Sequence, residues 1–397
     1  MFNIQVQSGE FKKALSYLES TVGNNSQGNG DDCISITDNG NYVINMYTTN
    51  SVEFSSVSFV VMNGSNGSVE RMPYVNFKRF KKIIDSLGDN QYINIKASSN
   101  DIEITYGNKS NKPLKLSGSA NGMIPLPTVS GNTLSIDTSI LRDGLKHACV
   151  IIKDDANNRL TNCIRIHTDG FHVEITAVDV RNNRMFLHHS MNTENNQGDV
   201  LIEANKFLKA FGMLDCFNTV EFEVGNVIKI SGSDCQSNII TNAEYYIRQI
   251  NGNYPTNIAD MFKYANDFAT VNKDEMKASL IRIDAIEDTT IGSGTMELLI
   301  DKSLVNITKS SQYGVVEDSF DLENEISSPI KNTFKTKPLE EVLKVFADSG
   351  SAFTPSTFEI ANANIPGQND CYIIKDTQLD TNRYLITGFG SNAVQTP

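Results

Sequence analysis

The side chains able to do chemistry in this 397-residue chain are few and scattered. His167 and His172 flank an Asp169-Gly170 turn and could lie side by side, and His188-His189 is a tandem. Two imidazoles can begin a metal site, but a catalytic metal needs further ligands at workable spacing, and the sequence supplies none. The six cysteines, at 33, 149, 163, 216, 235 and 371, contain no CxxC and read as reduced, partly buried thiols. Asp31-Asp32 and Asp154-Asp155 read as solvated loop carboxylates, and Gly292-Ser293-Gly294 as a turn, not a phosphate cradle. No Ser, Cys or His stands in a nucleophile motif. The expectation is a protein that is not an enzyme and uses no cofactor or metal.

What remains is positive charge at regular places. The chain has a net charge of −13, an unpromising balance for a nucleic-acid partner. Six segments with helical periodicity (8–19, 76–87, 138–148, 205–215, 272–282 and 337–348) nevertheless hold 15 Lys and Arg against 10 Asp and Glu. The acidic excess therefore lies outside the helices. In 76–87, Phe77, Phe80, Ile83, Ile84 and Leu87 make an apolar stripe, with Lys78, Arg79, Lys81 and Lys82 opposite and Asn76 as cap. The same reading points Lys12 and Lys13 outward behind a Ser8 cap. It also turns out Arg142 and Lys146, Lys206 and Lys209, and Lys273 and Lys277 behind an Asn272 cap. The sixth segment starts at Pro338 and is the exception, with Glu340 and Glu341 outward. Lysines on helix faces supply phosphate contacts that carry affinity without sequence information.

The helices recur with long periods. The phrases at Asn76, Asn205 and Lys337 start 129 and 132 residues apart, and those at Ser8, Thr138 and Asn272 start 130 and 134 apart. Each helix of the first phrase is followed by two β-rich runs. Runs such as YVINMY, VEFSSVSFVV and TVEFEV alternate with period two, as half-buried antiparallel strands do. Repetition at this period predicts an α+β protein of three similar domains, 1–128, 129–257 and 258–397, each with two helices on antiparallel sheets. Linkers are expected near 124–132 and 252–260. No apolar run is long enough to span a bilayer, and the N-terminus has no leader pattern, so a cytoplasmic protein without membrane contact is expected.

Three segments bring a resemblance into view. TNCIRIHTDGFHVEITAVDVRNNRM (161–185) is similar to a hairpin ending in Ala-Thr-Asp-Gly-His-Arg-Leu. RQINGNYPTNIADMF (248–262) resembles a segment containing Asp-Gly-Arg-Phe-Pro-Asp-Tyr, and CYIIKDTQLDTNRYLITGF (371–389) a final strand pair. With the threefold repeat, the chain resembles the bacterial-type sliding clamps, the β subunits of DNA polymerase III. The resemblance implies a head-to-tail homodimer, a six-domain ring around duplex DNA held without regard to sequence. It implies that DNA polymerase and an ATP-dependent clamp loader dock through short peptide motifs. Lys12, Lys13, Lys78, Arg79, Lys82, Arg142, Lys146, Lys206, Lys209, Lys273 and Lys277 would then face DNA.

Carried over position by position, the peptide pocket falls on Val178, Arg184, Met185, Pro255, Cys371, Leu385, Thr387 and Phe389, with Asp179 at the motif's Asp. Val180 to Asn183 form an insertion in place of the motif's Gly-His, and the terminal Met-Pro-Met-Arg-Leu becomes TGFGSNAVQTP. Such divergence and the Asn-rich composition suit a phage-encoded clamp acting in its host's cytoplasm. Subunits are expected to join through sheet edges near 109–117 and 281–300. The rival reading is a β-rich virion or surface structural protein, which has no reason to place lysine on successive helices at a domain-length period.

Overall fold

The computed structural model describes residues 1–23, 30–64, 67–107, 112–119, 122–152, 159–179, 184–192, 196–235, 239–250, 252–265, 267–286, 295–311, 314–346, 356–366, 371–377 and 381–387. Seven α-helices occur among them: α1 (Ser8–Leu18), α2 (Phe77–Asp85), α3 (Thr138–Ile151), α4 (Ala204–Leu214), α5 (Ile258–Met261), α6 (Lys273–Asp284) and α7 (Thr336–Val345). All but the short α5 follow directly from a strand. Among the described residues all strand pairings are antiparallel. None of these helices is long and apolar enough to cross a membrane.

The chain forms two compact units, Met1–Ser139 with Asn205–Ile250, and Ile140–Ala204 with Asn251–Pro397. In the first, a four-stranded sheet ends at the edge strand Leu114–Ser117. A larger sheet runs from Asn132–Asp137 through Ile240–Arg248, Phe54–Val60 and Val43–Thr49 to Cys33–Asp38 and Glu70–Arg71. Its central join pairs Ala243 with Val57 and Tyr245 with Ser55, linking segments nearly 190 residues apart by ladder hydrogen bonds. α1 and α2 pack together through Phe11, whose ring meets Phe80 edge-on at 6.2 Å and Phe59 of the sheet at 5.7 Å. Phe77, Phe80 and Ile84 of α2 are fully buried. Burial of side chains this size contributes about 1.5–3 kcal/mol each.

The second unit repeats the scheme. Eight strands run in the order Gln197–Glu203, Cys163–Asp169, His172–Asp179, Arg184–Met191, Asn382–Thr387, Cys371–Asp376, Thr357–Ala363 and Ala269–Asn272. A four-stranded sheet runs Gly314–Asp321, Leu304–Ser311, Thr295–Asp301, Ile330–Lys335. One face of the large sheet carries Phe186 and Tyr384; His147 of α3 stacks on Phe186, and Phe346 at the end of α7 meets Tyr384 edge-on.

Several local expectations need correction. Asn76 and Asn272 do cap α2 and α6, accepting from Arg79 N at 3.0 Å and from Asp274 and Glu275 N at 3.0 and 3.1 Å. Ser8, however, lies inside α1, where Gln7 is the cap and the Ser8 hydroxyl donates to Gly88 O. α7 begins at Thr336, two residues before Pro338. The stretch near 252–260 is no bare linker, since Ile258 and Phe262 are buried and α5 packs on strand Arg184–Met191. Thr295–Asp301 has partners on both sides, so the edge strands of its sheet are Gly314–Asp321 and Ile330–Lys335.

Candidate peptide pocket and nucleic-acid interface

Direct cross-strand partners share a sheet face, and neighbours along a strand take opposite faces. The register pairs Val178 with Met185, Met185 with Leu385, and Leu385 with Ile373. These four side chains form an apolar row across four strands. Cys371 lies on the same face, two residues before Ile373, with Thr387 as its backbone partner. Val178, Met185, Cys371 and Leu385 are therefore brought together on one face, each no more than 4% exposed. An incoming peptide would reach them only by displacing their cover. Phe389 and the insertion at 180–183 lie outside the described residues.

The segment leading into α5 lies over this face. Tyr254 is 7% exposed beside Thr176, and its burial pushes the phenol pKa upward. Pro255, half-buried, follows it. Leu160 reaches Gly252, where an added Cβ would come within 2.8 Å of its Cδ2. Leu160 and Tyr254 escaped the sequence reading. Their signal was an apolar residue just ahead of a strand and an aromatic just ahead of Pro255.

Arg184 is a correction. Its register partners are Asp179 and Ile386, the row on the helix-facing side of the sheet. There it is 2% exposed, with Nη2 donating to Asp179 Oδ2 at 3.0 Å and Nη1 to Glu341 Oε2 at 2.7 Å. A buried guanidinium requires such partners, so it offers nothing to the pocket face. Glu341 correspondingly is turned inward from α7 and is not an outward acid.

Further along the pocket face, Arg165 grips Asp199, with Nη2 to Oδ2 at 2.6 Å. His172 stacks on His189 at 4.9 Å between ring centroids, while His167 stands 3.9 Å from Asp199. The stacked imidazoles are thus His172 and His189, where His167 and His172 had been expected side by side. Asp169 accepts from the backbone of His172 and Phe171, which lowers its carboxyl pKa to about 2. Among the described residues, no group of three or more His, Cys, Asp and Glu could hold a metal ion. On the opposite face, burial lowers His147 to about 4 and lowers His188 as well.

The helical lysines divide into three kinds. Lys78, Arg79, Lys82, Lys146 and Lys209 are exposed and form no ion pair among the described residues. Lys13 and Arg142 are also exposed, with Lys13 bonded to Glu10 at 2.8 Å. Lys12, Lys206 and Lys277 are half-buried; Lys12 holds Leu87 O and Asp89, and Lys206 stands 3.0 Å from Glu53. Lys273 contradicts its assignment outright, being 0% exposed with Nζ donating to Phe346 O at 3.2 Å. It sits three residues before buried Met276, on the apolar stripe of α6.

No protein-family model and no curated protein matches the chain. Solved structures do. The chain is similar to the DNA polymerase III β subunit of Pseudomonas aeruginosa, with a TM-score of 0.78 at 13% identity, covering 98% of this chain and 99% of that one. It is similar to the β subunit from DNA polymerase of Streptococcus pyogenes, with a TM-score of 0.77 at 17% identity over the same shares. A Helicobacter pylori β clamp bound to a DNA ligase peptide gives 0.73 at 15% identity, again over 98% and 99%. The fold is α+β and is that of the bacterial sliding clamps, end to end.

Proposed function

We propose that this chain is a DNA sliding clamp, a processivity factor that encircles duplex DNA and tethers a replicative polymerase. The observation that carries the reading is the whole-length fold match to β clamps, at a TM-score of 0.78 over 98% of the chain. In this reading the three similar domains are 1–128, 129–257 and 258–397, and two copies close head to tail. The clamp does no chemistry and uses no cofactor; it converts repeated rebinding of the polymerase into an intramolecular event of high effective concentration. Opening falls to an ATP-dependent loader.

Exposed Lys13, Lys78, Arg79, Lys82, Arg142, Lys146 and Lys209, with the half-buried Lys12, Lys206 and Lys277, hold DNA through phosphates and leave the bases unread. The row Val178–Met185–Leu385, with Cys371, Thr387 and Pro255, receives the peptide tails of polymerase and loader. The Helicobacter pylori clamp bound to a ligase peptide supports a peptide-docking role. The subunit interface uses the edge strands Leu114–Ser117 and Gly314–Asp321. The first carries Lys115 and the second Glu317, Asp318 and Asp321, so their charges are complementary. Ile281 and Val315 on the second unit are 71% and 61% exposed, apolar surface that a partner copy would cover.

Primer extension under single-hit conditions tests the reading, using the polymerase and loader of the same genome. Products lengthened by this protein support it. Products of unchanged length overturn it in favour of a structural protein.

A further inference from the structure

Asp179 is the last residue of strand His172–Asp179 and Arg184 the first of strand Arg184–Met191, and the two are register partners. Val178 and Met185, the next pair inward, point the other way and form part of the pocket row. A slip of one residue would turn Val178 and Met185 off the pocket face. We infer that Asp179 and Glu341 are positioning residues for the peptide pocket: by gripping Arg184 from the neighbouring strand and from α7, they lock the register that presents Val178 and Met185.

The geometry fits a lock better than a stabiliser. Arg184 and Asp179 are each 2% exposed and Glu341 22% at the side chain. Removing charges this deep from water offsets most of their attraction, so apolar residues of similar volume would hold the core as well. What apolar residues lack is direction. Charge-assisted bonds at 3.0 and 2.7 Å to two different elements fix the guanidinium in one place. Tyr372, the cross-strand partner of Ile386 in the same row, is buried close enough to feel the guanidinium's charge. The acidic character of α7, the exception among the helices, is thereby explained at Glu341.

This inference rests on the pocket reading, and two measurements separate the failure of one from the failure of the other. The variants are Glu341→Gln, and the triple Asp179→Leu, Arg184→Met, Glu341→Leu, which replaces the network with apolar packing and keeps the core filled. Hydrogen–deuterium exchange over 172–191 is expected to quicken about tenfold in both, with 43–60 unchanged; a factor of ten corresponds to about 1.4 kcal/mol. Fluorescence anisotropy with a fluorescein-labelled C-terminal tail peptide of the same genome's DNA polymerase is expected to show about tenfold weaker binding in both. The triple variant keeps the wild-type melting temperature, which a purely structural role would not predict alongside lost affinity. Exchange over 172–191 as slow as wild type refutes the lock, whatever the peptide does. A stable triple variant that binds the peptide like wild type also refutes it. Failure of the wild-type protein to bind the peptide sinks the pocket reading alone, and the exchange result still decides the lock.

Discussion

Replacing Lys78, Arg79 and Lys82 of α2 by glutamine removes three exposed charges that have no ion-pair partner among the described residues. Nothing in the fold depends on them. The Asn76 cap bonds the backbone of Arg79, and the apolar stripe lies opposite, so stability should change by less than about 0.5 kcal/mol. Their effect on DNA is expected to be large. Each phosphate neutralised steepens the dependence of log K on log salt by about 0.9, and the proposed dimer would present every position twice. If all three side chains reach phosphates, the slope becomes shallower by about 5. The affinity lost between 50 and 200 mM salt then shrinks by about three decades. Anisotropy titrations of a labelled duplex at several salt concentrations measure this, with circular dichroism as the check on folding. A folded variant whose slope matches the wild type would refute the assignment of α2 to the DNA face.

Three further outcomes follow from particular contacts. Lys273→Met should leave that salt slope unchanged and cost about 1 kcal/mol in urea unfolding through the lost bond to Phe346 O; a shallower slope would mean Lys273 reaches DNA after all. His147 is buried and neutral, with its folded pKa lowered to about 4. The unfolded state therefore binds the extra proton between about pH 6.5 and 4, and stability falls by about 3 kcal/mol as pH drops through that window. His147→Gln should flatten that part of the stability–pH curve, and an unaltered curve would assign the acid sensitivity elsewhere. Ile281→Ser with Val315→Ser should shift sedimentation from twice the 43.9 kDa chain mass toward the monomer without lowering the melting temperature; an unshifted dimer would place the interface elsewhere.

Much of the fold was legible because its determinants are local. The stripe of Phe77, Phe80 and Ile84 and the caps at Asn76 and Asn272 each lie within one turn of helix, where periodicity and capping act. Lys273 was legible in principle, since it stands three residues before Met276 on the buried side, but its charge was weighed above its position. Arg184 failed in the same way: strand alternation forbids it from sharing a face with Met185. The partners of Arg184 and the join of strands 54–60 and 240–248 were not legible. The bond to Glu341 and that join bring together residues well over a hundred positions apart, and no local spacing encodes that meeting; Asp179 is only five positions from Arg184. The pocket row was reached only through resemblance, because its members are ordinary apolar strand residues distinguished by register alone.

Retention on circular DNA is the most direct test of the central claim. The protein is loaded onto a nicked plasmid, washed at high salt, and followed as a restriction enzyme linearises the circle. A closed ring stays on the circle through the wash and leaves once an end exists. Loss during the wash, or equal retention on circle and linear fragment, would contradict encirclement.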